Sequence, residues 1–272
     1  MELRKIIIDG LKNSNIAPEE ISAETNFILR HFFNVENFYL PINYTDQQLL
    51  DLKEIFEKRK MGLPLQYILG KSDFMGEIFK VNKNVLIPRP ETEILVLKTI
   101  EKAEKNLAKT ILDIGTGSGC IPIMLKKRLS FLDIYSCDIS QEALSIAKEN
   151  AKNNNANINF IHSDLFQNIN HKFDIIVSNP PYIPPSLKKD IQKEVQYEPD
   201  LALYTSDENG VEFYEKIIKN ASKYLNHNGY ILFELGIGQS EIVKSLFLEY
   251  NYNDIEITKD LDGIDRVICA RG

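Results

Sequence analysis

The second half of the chain alternates between short strand-like runs and helix-like runs, and this alternation restricts the fold more than any other feature of the sequence. Strand-like runs are rich in β-branched and aromatic residues, whereas helix-like runs carry apolar residues at helical spacing. The strand-like runs are residues 110–113, 133–137, 158–161, 173–177 and 229–233, and the helix-like runs are residues 121–129, 142–150, 211–225 and 239–250. This order predicts a parallel sheet with helices on both faces.

The C-terminal residues break the alternation. Residues 254–258 and 266–270 are both strand-like, and too few residues lie between them to form a helix. Asp262-Gly263 is a turn sequence, so we expect an antiparallel hairpin at one edge of the sheet. The predicted fold class is α/β, with a seven-stranded Rossmann-like sheet that ends in an antiparallel C-terminal hairpin.

The first part of the chain has a helical pattern. Apolar residues recur at helical spacing from Leu3 to Leu11, and Thr45 with Gln48 has the sequence of a capping box. The turn signal at residues 82–84 separates strand-like residues 79–81 and 85–87, which predicts a β-hairpin. We therefore expect a small helical domain at residues 1–72, a β-hairpin linker at 73–90 and an α/β domain at 91–272.

Composition argues against several classes of protein. The formal net charge is −7, whereas proteins that hold nucleic acid usually present a basic surface. No apolar run is long enough to span a membrane, and the N-terminus has no secretory cleavage signature. We expect a cytoplasmic monomer that has no membrane partner and does not bind nucleic acid stably.

The three cysteines and four histidines are scattered, which predicts neither a disulfide framework nor a metal site.

A glycine-rich loop follows the first strand of the α/β part and leads into a helix. Its sequence is Asp113-Ile114-Gly115-Thr116-Gly117-Ser118-Gly119. Glycines let a backbone turn sharply and approach a ligand closely. The third glycine comes one residue earlier than in a dinucleotide-binding fingerprint, and an acid precedes the loop. Both differences favour S-adenosylmethionine, which has no pyrophosphate and carries a cationic amino group. We expect residues 115–119 to contact this cofactor; the alternative is a tight turn without a ligand.

Two more acids follow strands of the predicted sheet. Asp138 ends the second strand and can accept hydrogen bonds from both ribose hydroxyls; the alternative is that it caps the next helix, and the two roles are compatible. Asp164 follows the third strand and can accept from the adenine amino group, or it can cap its own loop. Leu165 or Phe166 is expected to pack on the adenine ring. Asp138, Asp164 and Leu165 therefore join the predicted cofactor contacts.

The most informative segment follows the fourth strand and reads Asn179-Pro180-Pro181-Tyr182. Proline fixes φ and has no N–H, so the two prolines hold the preceding carbonyls outside the strand ladder. The Asn179 side-chain oxygen and the Pro180 carbonyl can both accept from one planar NH2 group, and Tyr182 can stack on a flat substrate. Such a clamp positions a weakly nucleophilic nitrogen for methyl transfer. We predict that the catalytic residues are Asn179, Pro180 and Tyr182. All four residues of this segment are predicted to bind substrate, and Asn179 is also predicted to contact the cofactor. The alternative is a rigid loop that only ends a strand.

Together with the glycine loop, Asp138 and the clamp, three further segments resemble a known family. They are Gln66-Tyr67-Ile68-Leu69-Gly70, Leu86-Ile87-Pro88-Arg89-Pro90-Glu91-Thr92-Glu93 and Tyr197-Glu198-Pro199. The chain resembles the protein-glutamine N5-methyltransferases of the HemK/PrmC family, which act on peptide chain release factors. This resemblance implies a class I methyltransferase sheet, S-adenosylmethionine as cofactor, and the glutamine of the Gly-Gly-Gln motif of release factors as substrate. It also implies that Asn179 and Pro180 hold the glutamine carboxamide beneath Tyr182. The helical N-terminal domain is then expected to recognise the substrate protein.

Three alternatives stay open on the residues alone. The clamp would also fit the exocyclic amine of adenine or guanine in nucleic acid after base flipping, although the acidic balance argues against this substrate. A nucleotide-binding oxidoreductase is disfavoured by the glycine spacing and by the lack of a catalytic His or Tyr-x-x-x-Lys arrangement. A non-catalytic binding module is disfavoured by the intact clamp sequence.

Overall fold

The computed structural model describes residues 2–14, 16–35, 37–38 and 42–272. Its helices are α1 (Glu2–Lys12), α2 (Ile21–His31), α3 (Asp46–Lys60), α4 (Leu65–Leu69), α5 (Pro90–Lys105), α6 (Cys120–Arg128), α7 (Gln141–Asn153), α8 (Asp200–Leu203), α9 (Glu212–Ala221) and α10 (Ser240–Glu249). Its strands are β1 (Lys71–Phe74), β2 (Glu77–Lys80), β3 (Thr110–Ile114), β4 (Asp133–Asp138), β5 (Asn159–His162), β6 (Phe173–Ser178), β7 (Leu225–Glu234), β8 (Asn253–Lys259) and β9 (Asp265–Arg271). Within these described residues, no helix is both long and apolar enough to cross a bilayer.

The chain divides into two compact units. One comprises Met1–Lys71 and Gln192–Tyr197, and the other comprises Ser72–Ile191 and Glu198–Gly272. The assignment of Gln192–Tyr197 to the first unit is not indicated by any sequence pattern. The predicted three-part division, with boundaries after residues 72 and 90 and a recognition role for the first part, stays a prediction.

The smaller unit is built from helices α1 to α4. Its core contains Leu3, Ile7 and Leu11 of α1, which confirms the apolar face predicted for this helix. The capping box is also confirmed, because the Thr45 hydroxyl accepts from Gln48 N and the Gln48 side chain accepts from Thr45 N.

A buried arginine links separate parts of this unit. Arg59 of α3 donates to both carboxylate oxygens of Glu24 and also to Glu194 of the Gln192–Tyr197 segment, 2.7 Å away. Only 1% of the Arg59 side chain is exposed, so its charge is compensated by partners instead of water.

The larger unit contains the predicted seven-stranded sheet. Its strand order is β5-β4-β3-β6-β7-β9-β8. Strands β3 to β7 are parallel, whereas β9 runs antiparallel to both β7 and β8. The expected antiparallel C-terminal hairpin is therefore confirmed.

Both faces of this sheet are covered by helices, as predicted. Alternate strand residues enter different cores, because successive side chains of a strand point to opposite faces. Ile111 packs in the core that contains α5 and α6, whereas Leu112 packs in the core that contains α9 and α10. In the same way, Ile175 and Ile176 of the neighbouring strand β6 lie in different cores.

The predicted hairpin at residues 79–87 is wrong in position. The two strands that pair here are β1 and β2, and the turn between them contains Met75 and Gly76, with φ of 50° and 83°. Two successive residues with positive φ match the twist of a tight hairpin. Asn82 does form a turn, in which its side chain accepts from Asn84 N. No strand follows this turn, and Asn84, Val85, Leu86 and Pro88 instead line a cavity.

Candidate active site

The carboxyl ends of β3, β4 and β6 meet at one edge of the sheet. Ile114 pairs in register with Cys137 on one side and with Ser178 on the other. The Ser178 hydroxyl also donates to the Ile114 carbonyl oxygen at 2.7 Å. The loops that follow these three strands are therefore adjacent, which is where ligands bind in open parallel sheets.

A cavity of about 350 Å³ lies at this edge. Its size is within the range of small-molecule sites. Most of the predicted site residues line it: Gly115, Thr116, Gly117, Ser118, Asp138, Asp164, Leu165, Asn179, Pro180 and Pro181. Gly119 and Tyr182 are the two predicted residues that do not line it.

The three glycines of the loop differ in what surrounds them. All three have positive φ, and a Cβ added to Gly115 or Gly117 would meet no atom within 4 Å. A Cβ added to Gly119 would lie 3.1 Å from the Ala147 Cβ. Gly115 and Gly117 therefore leave space on the cavity side for a ligand, whereas Gly119 allows close packing of the loop against α7.

Asp138 lies at the cavity wall, where backbone groups orient its carboxylate. One carboxylate oxygen accepts from Gly117 N at 2.9 Å and the other from Ser140 N at 2.8 Å. Burial raises the pKa of this carboxyl, against the lowering effect of these N–H donors. The alternative role as a helix N-cap is wrong, because Ser140 is the N-cap of α7 and its hydroxyl accepts from Ala143 N.

The two apolar residues of the loop after β5 lie in different environments. Leu165 lines the cavity and has a φ of 48°. Phe166 is buried in the core and stacks on Tyr224, with ring centroids 4.5 Å apart. Of the two candidates for covering a flat ring in the cavity, the structure therefore favours Leu165. Asp164 is exposed; its carboxylate accepts from the Gln167 side chain, and its backbone carbonyl accepts from Gln167 N.

Asn179, Pro180 and Pro181 form the cavity wall after β6. The Asn179 side-chain nitrogen donates to the Thr92 hydroxyl oxygen at 3.3 Å, so the amide oxygen is the atom left to accept from a ligand. Tyr182 is not among the residues that line the cavity and packs partly against the core that contains α9 and α10. Its hydroxyl lies 3.5 Å from Glu234 Oε1, and its stacking on a substrate stays a prediction.

Two residues behind the clamp were not among the predicted site residues. Thr92, at the start of α5, lines the cavity and donates to Glu234 Oε2 at 2.6 Å. Glu234, at the end of β7, is 2% exposed, and burial raises the pKa of its carboxyl to about 7. The sequence signal for Glu234 is an acid at the end of a parallel strand, the same signal that indicated Asp138.

Two of the segments on which the family resemblance rested, residues 86–93 and 197–199, contact each other. Glu198 is buried, accepts from Ile87 N at 2.9 Å and pairs with Arg89. These contacts join two parts of the cavity wall, which include Pro88 and Pro199. Glu198 therefore holds these two parts of the wall together.

Two buried groups near the cavity are unsuited to nucleophilic chemistry. Cys120 lines the cavity, but burial raises the pKa of its thiol to about 12, so it is a neutral thiol. Asp113 is fully buried and does not reach the cavity; burial raises the pKa of its carboxyl to about 7, while the Ser136 hydroxyl donates to it at 2.7 Å. The three cysteines are free and buried.

Comparison with known proteins identifies the family. Residues 91–196 match the family model "Methyltransferase small domain". The release factor glutamine methyltransferase of Flavobacterium psychrophilum is 43% identical over 262 residues, which cover 92% of this chain and 91% of that protein. The enzyme of the same name from Bacillus cereus is 37% identical over 97% of this chain and 98% of its own length.

The chain belongs to the release factor glutamine methyltransferase family. It is therefore a methyltransferase, as the resemblance implied. Among solved structures, the hMettl16 catalytic domain in complex with a MAT2A 3′UTR hairpin has a TM-score of 0.60 at 16% identity, covering 93% of this chain and 91% of that chain. A Pyrococcus furiosus methyltransferase has a TM-score of 0.54 at 18% identity, covering 73% and 90%. These likenesses confirm the class I methyltransferase fold.

The cofactor of this methyltransferase is S-adenosylmethionine, and the residues of the cavity fit it. The free space at Gly115 and Gly117 admits a ligand close to the backbone. Asp138 offers a carboxylate to hydroxyl groups, and Leu165 offers an apolar surface to a flat ring. When bound, the cofactor supplies a methyl group on a positively charged sulfur.

Proposed function

We propose that this methyltransferase transfers the methyl group of S-adenosylmethionine to the side-chain amide nitrogen, N5, of the glutamine in the Gly-Gly-Gln motif of peptide chain release factors. The observation that carries the proposal is that the Asn179 clamp and the Asp138 cofactor wall line one cavity. The names of the relatives support glutamine and release factors as the substrate.

The clamp would act mainly by positioning. An amide nitrogen is a poor nucleophile, because its lone pair is delocalised into the carbonyl group. Asn179 Oδ1 and the Pro180 carbonyl oxygen each accept one N–H of the substrate carboxamide, which orients its nitrogen and excludes water from it. No strong base is needed before transfer, because the N–H becomes acidic as the new bond forms.

The cofactor would be held by the loop residues 115–118 together with Asp138, Asp164 and Leu165. Asp138 accepts from ribose hydroxyls, Leu165 covers the adenine ring, and Asp164 accepts from the adenine amino group. Gly119 supports this surface by its close packing on Ala147. Asn179 would face both the cofactor and the substrate.

Selectivity would come from contacts outside the clamp, because every glutamine and asparagine carries a carboxamide. Remote contacts can orient a reacting group when their binding energy is used in the transition state. The segment 183–199 directly follows the clamp, and its exposed charged residues include Lys188, Lys189 and Asp190. We assign recognition of the release factor to this segment and to the helical unit of α1 to α4, in a cytoplasmic monomer that does not hold nucleic acid stably.

A methyl-transfer assay with radiolabelled cofactor tests the proposal. The acceptors are an intact release factor, the same factor with its Gly-Gly-Gln glutamine changed to alanine, a short Gly-Gly-Gln peptide, free glutamine and DNA. We expect label only on the acceptors that carry the Gly-Gly-Gln motif, with a much higher kcat/KM for the intact factor than for the peptide. Equal values for factor and peptide would refute remote recognition, and label on DNA alone would assign the clamp to nucleobases.

A further inference from the structure

Three polar side chains from distant parts of the sequence are joined by consecutive hydrogen bonds behind the clamp. Asn179 Nδ2 donates to Thr92 Oγ1 at 3.3 Å, and Thr92 Oγ1 donates to Glu234 Oε2 at 2.6 Å. Thr92 and Glu234 are 3% and 2% exposed, so water does not compete effectively for these bonds. Of the three, Thr92 and Asn179 line the cavity, whereas Glu234 lies behind them.

The direction of these bonds follows from the groups themselves. A carboxylate only accepts, and a hydroxyl has one proton to donate. Once Thr92 donates its proton to Glu234, its oxygen can only accept from the next group in the chain. The Asn179 amide must then present Nδ2 to Thr92, which directs Oδ1 away from Thr92.

This direction matters because the two ends of a carboxamide have nearly the same shape and opposite hydrogen-bonding character. With Oδ1 toward the ligand, Asn179 accepts an N–H from a substrate amide. If its side chain were flipped, its NH2 group would face the substrate NH2 group, and neither could accept. A clamp built on asparagine therefore needs a device that selects one of the two orientations.

We propose that Thr92 and Glu234 are positioning residues, which hold the Asn179 carboxamide with its oxygen facing the substrate nitrogen. The inference rests on the proposed role of Asn179 as the acceptor in the clamp. Glu234 supplies the charged acceptor: Thr92 donates to it, and the Asn179 side chain also hydrogen-bonds to it, so both contacts keep the Asn179 nitrogen on this side. Neither residue touches the reacting atoms.

The charge of Glu234 sets the direction of the hydrogen bonds that join it to Thr92 and Asn179. Protonation would turn Glu234 into a donor and remove the requirement that Thr92 donate to it. Burial raises the pKa of this carboxyl to about 7, so the directing carboxylate is present above this pH and is lost as the pH falls through it. The other polar or charged groups described around Glu234 come from α5, α6, α9, β9 and the loop after β6: Glu91, Thr92, Cys120, Arg266, Asn179 and Tyr182 interact with its carboxyl, and the Tyr214 hydroxyl donates to its backbone carbonyl. Glu91 favours the protonated form and Arg266 the carboxylate.

The first test compares two threonines of the same helix. Thr92→Val removes the relay, Thr92→Ser keeps its hydroxyl, and Thr99→Val makes the same change at a buried threonine whose hydroxyl donates to the Leu95 carbonyl. Loss of one orienting hydrogen bond is expected to lower kcat for Thr92→Val by about tenfold, with cofactor affinity unchanged. Thr92→Ser should stay within about threefold of the wild-type kcat, and Thr99→Val should match the wild type.

The second test uses the pH dependence of kcat. The wild-type value should fall as the pH decreases through about 7. Glu234→Gln can still accept from Thr92 through its amide oxygen but cannot titrate, so this acid limb should disappear. Persistence of the limb in Glu234→Gln would assign it to another group, such as Asp113, and would overturn the role of Glu234.

The outcomes separate this inference from the proposed function. A wild-type enzyme that does not methylate the release factor would refute the proposed function. An active wild type with equal kcat in Thr92→Val would refute the relay alone. If Thr92→Val unfolds, judged by its melting temperature, the Thr92→Ser and Glu234→Gln enzymes decide: a loss of about tenfold in the kcat of Thr92→Ser, or an acid limb that persists in Glu234→Gln, also refutes the inference.

Discussion

The cavity has two halves that are held in different ways. In the cofactor half, Asp138 is oriented by the backbone N–H groups of Gly117 and Ser140, which belong to loops at adjacent strand ends. In the clamp half, Asn179 contacts the side chains of Thr92 and Glu234, and Thr92 also donates to Glu234. The comparison shows that one half depends on backbone geometry and the other on a chain of side chains from separate elements.

This difference leads to different functional expectations. A change in the cofactor half removes contacts that exist before and during reaction, so it should lower affinity. A change in the clamp half removes the orientation of the nucleophile, so it should lower the maximum rate. The predictions below test this separation, in order of decreasing effect.

The largest effect is expected for Asn179→Ala. Loss of a preorganised polar group at the reacting centre typically costs roughly a hundredfold or more in kcat, and here it removes the oxygen that accepts from the substrate amide. Cofactor affinity measured by calorimetry should change little. Asn253→Ala on the exposed edge of β8 is the matched control, with wild-type kcat expected. Near-normal turnover in Asn179→Ala would exclude the amide clamp.

A smaller effect, on affinity, is expected for Asp138→Ala. Losing hydrogen bonds to a charged acceptor costs about tenfold to a hundredfold in cofactor affinity. Asp133→Ala, at the opposite end of the same strand, should leave this affinity unchanged. Calorimetry that finds equal affinities for the two variants would remove Asp138 from the cofactor site.

The smallest effect is expected at Leu165. Truncation to alanine removes apolar area that packs on the adenine ring and should weaken cofactor binding by about threefold to tenfold. Phe166→Leu should instead lower the melting temperature without changing the affinity, because Phe166 stacks on Tyr224 in the core. The reverse pattern would assign the adenine contact to Phe166.

The same contrast explains what the sequence could predict. The cofactor half was predictable because the glycine loop, Asp138 and Leu165 each directly follow a strand, and the carboxyl ends of parallel strands meet at one edge. The clamp tetrapeptide was predictable for the same reason. Thr92 and Glu234 were not, because their role depends on contacts 87 and 142 residues apart in sequence.

Two local features show other limits of sequence patterns. The signal at residues 82–84 does make a turn, but the chain after it contributes Ile87 N to Glu198, so no hairpin forms there. Tyr182 was predicted to stack on the substrate because aromatic rings suit flat ligands. Its side chain also packs partly into the core, with its hydroxyl near Glu234; only the tertiary structure reveals this contact, and the stacking on the substrate stays a prediction.

The separation of affinity from rate is tested most directly by single-turnover methylation of a release factor at saturating S-adenosylmethionine. The account predicts that Asp138→Ala recovers nearly the wild-type rate once its site is filled, whereas Asn179→Ala stays roughly a hundredfold slower at every cofactor concentration. A slow Asp138→Ala enzyme at saturation, or an Asn179→Ala enzyme that recovers the wild-type rate, would contradict it.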